Sequence, residues 1–262
     1  MEQQAHIPKD MSAFEAFFTS GPLWWDHPGC GFELFGPKHL AVLALVACTI
    51  VLLAYAYARL TQDAEKSRPR RRALLAVSLT GTTTMACVYA IRIAQAGLAV
   101  SNLPLYSCNL CMVLSIADAI HPSRTLDNVL FAMGLTGGVG ALLFCGWTQC
   151  PIWCLASLSG FVEHGCLVLF CVMRLVGRDF YPDVHRIWAP ITVSAAYLAA
   201  IIPVNLAHGT SFMFVPDPME TAPLEALYQA LGNPGYTVFF CLALLVLYLL
   251  EYAIAGQVRR RA

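Results

Sequence analysis

Charge is what this chain has least of: Asp, Glu, Lys and Arg make up 12% of 262 residues, and 16 basic groups cancel 16 acidic ones. So little charge cannot cover a soluble domain, and a net charge of zero gives no hold on nucleic acid or an acidic partner. Residues Met1 to Asp10 lack the basic stretch and apolar run of a secretory signal, so no cleaved leader is expected. His and Cys do not recur at ligand spacing along any one helix, so neither a metal site nor a cofactor is expected. Apolar residues are what the chain has in excess. They form 58% of it, with a mean hydropathy of +0.63, and that much apolar surface calls for lipid. The eleven cysteines fall mostly inside apolar runs as small fillers, so their number does not imply a disulfide framework.

A helix crosses a hydrocarbon core of ~30 Å with roughly 20 residues. Seven stretches fit: His39–Arg59, Ala73–Gln95, Pro104–Ile120, Asn128–Gly146, Trp153–Val176, Ile187–Ala207 and Tyr236–Gly256. The expected fold is therefore all-α, a polytopic transmembrane helix bundle of about seven spans, the third being the shortest. Residues 32–256 form the membrane domain, 257–262 a basic tail, and 1–31 an N-terminal segment. In that segment Met11 to Trp25 sets Phe14, Phe17, Phe18, Leu23, Trp24 and Trp25 among polar positions, the pattern of a short helix lying at the interface.

Orientation follows from the basic residues. Arg59, Lys66, Arg68, Arg70, Arg71, Arg72, Arg124, Arg174, Arg178, Arg186, Arg259, Arg260 and Arg261, 13 of the 16, fall on the first, third and fifth loops and the tail. Lys9 and Lys38 lie on the other side, Arg92 lies within a span, and the loop from His208 to Gly235 has neither Lys nor Arg. Positive charge stays inside, which puts the N-terminus outside, the C-terminus in the cytoplasm and the chain across the cell membrane. In the fourth span Gly134, Gly137, Gly138 and Gly140 have the spacing that lets helix backbones approach closely, and no chemistry is assigned to them.

Polar groups inside spans are costly and so mark candidate sites. In this topology His39, Arg92, Cys108, Asn109, Asn205 and His208 lie toward the outer ends of their spans. Glu163 and His164 lie midway along the fifth, about 16 Å from its start at helical rise. Together they suggest a pocket open to the outer side. Pro104 is placed to start a helix, which sets Cys108 in its first turn, near the positive end of the dipole that favours a thiolate. A Cys nucleophile needs a base, and His164 is the one histidine well inside a span, so Cys108 and His164 form the candidate dyad. The depths disagree, since Cys108 should lie only about 6–8 Å below the outer end of its span. Plainer roles exist for each: a Cys fills space, a His bonds a neighbouring helix, and Arg92 snorkels or pairs with Glu163.

With those residues in view the chain resembles the YwaF-like family of integral membrane proteins, which has a eukaryotic glycerophospholipid acyltransferase of ether-lipid metabolism among its relatives. The matching pieces run in family order over residues 32–252. They are Phe32-Glu33-Leu34-Phe35-Gly36-Pro37-Lys38-His39, Leu103-Pro104-Leu105-Tyr106-Ser107-Cys108-Asn109-Leu110, the Gly-rich Phe131 to Phe144, Phe161-Val162-Glu163-His164-Gly165, and Asn205 with Phe212-Met213-Phe214. The resemblance implies a Cys and a His carrying acyl transfer through a thioester, at the positions of Cys108 and His164. Tyr106 stands where the family commonly has His, Asn109 where it has Asp, and Val215-Pro216-Asp217-Pro218 where a basic residue precedes a Pro. The substrate headgroup is therefore not carried over.

Three functions fit these residues. In a lipid acyltransferase Cys108 attacks an acyl ester and His164 relays the proton. Asn109 or backbone N–H groups stabilise the oxyanion, Arg92 holds a lipid phosphate, and His39, Glu163, Asn205 and His208 line the substrate site. A thiol oxidoreductase would use Cys108 and Cys111 as a C-x-x-C, with Cys150 and Cys154 as a second pair. A non-enzymatic lipid- or solute-binding protein or transporter would use the same cavity, though no inverted repeat is evident. In each the expected partners are membrane lipids, phospholipid foremost. A reporter fused after Ala262 is expected to read cytoplasmic and one inserted near Glu220 external; both on one side would mean a miscounted span.

Overall fold

The structure, a computed structural model, describes residue 8 and residues 11–60, 68–218 and 224–261, with side chains through Gln257. Lys9, Lys66, Glu220, Ala262 and the side chains of residues 258–261, Arg259, Arg260 and Arg261 among them, lie outside what is described. Among the described residues the chain is all helix. A short α1 (Ala13–Phe18) and a 3-10 turn (Gly21–Asp26) precede α2 (Pro37–Ala58), α3 (Arg68–Ala96), α4 (Ser107–Ile120) and α5 (Arg124–Val129). A π turn (Leu130–Gly134) joins α5 to α6 (Leu135–Leu143), and α7 (Leu155–Val176), α8 (Trp188–His208) and α9 (Leu224–Arg261) follow. Six segments are long and apolar enough to cross a membrane, with α5, the π turn and α6 acting as one. The third of the seven expected spans is α4, whose 14 residues reach about 21 Å, short of a full crossing.

Local chemistry explains the ends. Ser12 caps α1: its hydroxyl accepts the Glu15 N–H, while Ser12 N and Oγ donate to Glu15 Oε2 at 2.8 and 2.7 Å. Those bonds hold the Glu15 carboxyl below its ordinary range. Pro37 opens α2, where a missing N–H costs nothing, and Gly209, at φ 61°, closes α8 in the left-handed conformation. Helix α9 is broken at Gly232 and Asn233, so its spanning part starts near the turn expected there.

The central helix is α7, which packs against α2, α3, α4 and α6. Its approach to α6 depends on Gly138, where a Cβ would stand 2.8 Å from Val168 Cγ2, and Gly134 also faces α7. A Cβ added at Gly137 or Gly140 would meet nothing within 4 Å beyond its own helix backbone among the described residues. The close-packing face is thus one i, i+4 pair of the four glycines. The π turn frees the Leu130 carbonyl, which accepts the Cys171 thiol at 3.3 Å.

Two ends of the bundle differ in chemistry. At the end carrying α1, the Ser20 N–H donates to Gln95 Oε1 at 2.8 Å, and Trp24 and Ala16 bury against Cys150 and Cys154. Residues 11–26 therefore cover that end of the bundle, with Phe14 and Trp25 left exposed. At the opposite end lie the buried ions. Arg174 lies between Asp118, at 3.4 Å, and Asp127, and Arg70 meets Asp179 at 2.5 Å. Tyr57 also donates to Asp179, and Tyr252 Oη donates to Asn128 Oδ1 at 2.8 Å, tying α9 to α5.

Removing one partner of a buried ion cluster costs more than the cluster contributes, because the remaining charge loses its compensation. Arg174→Met leaves two buried carboxylates and is expected to lower stability by about 3–5 kcal/mol in a detergent unfolding titration. Adding Asp118→Asn and Asp127→Asn should recover most of that loss; no recovery would show that Arg174 acts by packing alone.

Candidate active site

Helices α4 and α7 run parallel, in register at two points. Asn109 Nδ2 donates to Glu163 Oε1 at 2.8 Å, and Asp118 meets Arg174. Both helices end two residues past the second contact, but α7 has 22 residues and α4 has 14. The N-terminus of α4 therefore starts about 12 Å below that of α7, inside the bundle. This removes the depth mismatch between Cys108 and His164 that full-length spans imply.

The start of α4 is a correction to the expectation that Pro104 opens it. The helix begins at Ser107, because Asn109 Oδ1 accepts the Tyr106 N–H at 3.1 Å and the Tyr106 carbonyl accepts the Asn109 and Leu110 N–H groups. Cys108 is then the second residue of the helix. Met213 covers this helix start, with its sulfur 3.2 Å from the Ser107 nitrogen, and Phe212 and Phe214 pack on the Tyr106 ring.

One donor atom each from Cys108, Glu163 and His164 lies within 4.8 Å of the other two. Glu163 and His164 are buried and Cys108 is half-buried. His164 Nδ1 is 2.7 Å from the Gly160 carbonyl. A carbonyl only accepts, so Nδ1 carries the proton and the neutral ring keeps its free lone pair on Nε2. The Trp147 indole stacks on the ring, with centroids 5.4 Å apart and planes at 19°. Gly160 permits that stack, since a Cβ there would stand 2.7 Å from Trp147 Cε2. The buried Trp147 indole N–H has no hydrogen-bond partner among the described residues.

The remaining candidates divide. Arg92 lies beside the site, its guanidinium 5.7 Å from the Tyr89 ring centroid, and Tyr89 Oη donates to Asn109 Oδ1 at 3.4 Å. Among the described residues Arg92 makes no ion pair. The pairing with Glu163, one of the plainer roles open to Arg92, is not made among the described residues, and Glu163 accepts the Asn109 amide. His39 is fully buried, but Nδ1 accepts the Phe35 N–H and Nε2 donates to the Leu142 carbonyl, both at 3.0 Å. Phe161 and Trp147 stand between it and His164. Asn205 folds the loop after α8, donating to the Phe212 and Val215 carbonyls and accepting from Phe212 N and Thr210 Oγ1. The loop it holds is the one that carries Met213 to the start of α4. His208 is exposed at the end of α8.

Sequence reasoning missed Trp147 and Tyr89, and it named Met213 only within the Phe212-Met213-Phe214 piece of the resemblance, with no role. An aromatic or a Met outside a polar cluster gives no signal of its own, although the Gly at 160, four residues before His164, was available as one. A model of the TMEM164 family matches residues 34–252 of the chain. No curated protein and no solved structure matches it.

The Asn109–Glu163 contact is open to a double-mutant cycle. Asn109→Asp keeps the oxygen that caps α4 but turns the donor into a second carboxylate, and should cost about 1–3 kcal/mol in thermal or denaturant unfolding. Glu163→Gln on that background should restore most of it, because the Gln amide can donate across. Simple additivity would mean that the two side chains are not in contact.

Proposed function

The chain belongs to the TMEM164 family, a transmembrane family, and on that premise we propose that it is a membrane acyltransferase with Cys108 as nucleophile and His164 as base. The observation that carries the reading is the meeting of Cys108 with a His164 ring whose free lone pair is on Nε2, at the inward start of a half-length helix. It agrees with the resemblance to YwaF-like proteins. The substrate is a phospholipid of the cell membrane, reached from the N-terminal, outer side.

The chemistry follows from these positions. As the Cys108 sulfur attacks the ester carbonyl, the thiol proton passes to His164 Nε2, so a free thiolate need not exist beforehand. The tetrahedral oxygen gains negative charge close to the start of α4, where the Tyr106 carbonyl takes the Asn109 and Leu110 N–H groups and leaves those of Ser107 and Cys108 outside the helical ladder. The Asn109 amide is engaged with Glu163, so backbone donors suit the oxyanion role better. Collapse breaks the ester bond, and His164 returns the proton to the leaving alkoxide, giving a lysolipid and a thioester on Cys108. A second hydroxyl, deprotonated by His164, then takes the acyl group and frees the thiol. Glu163 sets negative charge beside the imidazolium that forms and is lost in each half. Arg92, without an ion pair among the described residues, suits a lipid phosphate.

Cys111 stands one turn on from Cys108, as a redox C-x-x-C would need, but it is fully buried in the cluster of Met112 and Leu167, out of reach of an exchanging thiol. In vesicles holding a labelled phospholipid and a lysolipid acceptor, Cys108→Ser should abolish transfer, and His164→Ala should slow it by about 10²–10⁴-fold. Cys111→Ser should retain it, and mass spectrometry should find an acyl adduct on Cys108. Full turnover in Cys108→Ser would remove both the acyl-transfer and the thiol-redox readings.

A further inference from the structure

The buried acids among the described residues are not treated alike. Asp118 and Asp127 share Arg174. Glu163, 7% exposed, receives the Asn109 amide but has no cationic side chain in ion-pair range among the described residues. A carboxylate inside a membrane bundle with no counter-charge is costly, and its two neighbours are a thiol and an imidazole. Thiolate, carboxylate and imidazole together are the donor set of zinc-class ions.

Two of the three donors already have the outer support that metal ligands usually have. The Gly160 carbonyl fixes the His164 tautomer so that Nε2 is free to ligate, and Asn109 orients the Glu163 carboxylate. Charge closes as well: a dication cancels one thiolate and one carboxylate. Tetrahedral zinc, with bonds of ~2.0–2.3 Å, sets donor atoms roughly 3.3–3.6 Å apart. The three donors lie within 4.8 Å of one another, so binding an ion would draw them together by up to about 1.5 Å.

We propose that Cys108, Glu163 and His164 form a binding site for one zinc-class divalent cation, with a fourth position left to water, and that the bound ion holds acyl transfer off. Binding replaces the Cys108 S–H bond by a sulfur–metal bond and releases that proton to water, so affinity falls as pH falls. The ion occupies the sulfur and the nitrogen that transfer would use, so the two states exclude each other. The inhibitory half rests on the acyl-transfer reading; the binding half does not.

The test uses the full chain in lipid nanodiscs, stripped with chelator and titrated with Co²⁺ and with Zn²⁺ against a chelating indicator. About one ion per chain is expected, with a sulfur-to-cobalt charge-transfer band that Cys108→Ser removes and Cys111→Ser keeps. Asn109→Leu should weaken binding by about 10–100-fold, as loss of outer support does, and Glu163→Gln and His164→Ala by more. Elution profile and melting temperature of each variant show whether it is folded; should Glu163→Gln not fold, Cys108→Ser changes a single atom and still decides. A cobalt spectrum without the thiolate band, a band that survives Cys108→Ser, or no stoichiometric binding overturns the proposal. Zinc binding in a protein that transfers no acyl group from any lipid supports the site and removes the acyl-transfer reading. Transfer in a protein that binds no zinc does the reverse, and transfer unaffected by bound zinc overturns the inhibitory half.

Discussion

The lower contact between α4 and α7 is the constraint on which the rest depends. Arg174 shares its charge between Asp118 of α4 and Asp127 of α5, so three segments are fixed at one level by a cluster that is expensive to break. With that end fixed, the length of α4 decides where its other end stands. A full span would carry Cys108 to the bundle surface. Fourteen residues leave it beside the middle of α7, where Glu163 and His164 are.

A helix that starts inside a bundle leaves space above its N-terminus and unpaired N–H groups below that space. Two segments use the space. The turn at 100–106 leads into α4, and the loop after α8 lays Met213 over Ser107, with Asn205 holding the loop in shape from beneath.

How much of this the sequence carried follows from what kind of signal each feature leaves. Long spans leave a run of apolar residues, so six of them lie within a few residues of their expected limits. The start of α4 leaves none, because its cap is a Tyr whose own side chain does not cap the helix, completed by an Asn three residues on. Cys108 and His164 were legible by residue type, and their meeting was not, since it depends on a difference in length between two helices. His39 and Asn205 show why buried polarity alone is ambiguous. A polar group in a span needs partners, and these two find all of theirs in the scaffold, while Trp147 touches the central ring from a loop that no pattern marked.

Ten residues separate Cys108 from Asp118, about 15 Å of helix. That interval works as a ruler laid along the axis of α4, with its zero at Arg174 and its reading at the sulfur. Depth in the bundle is then encoded as an integer count of residues, adjustable in steps of one helical rise, and independent of the shape of whatever surrounds the thiol.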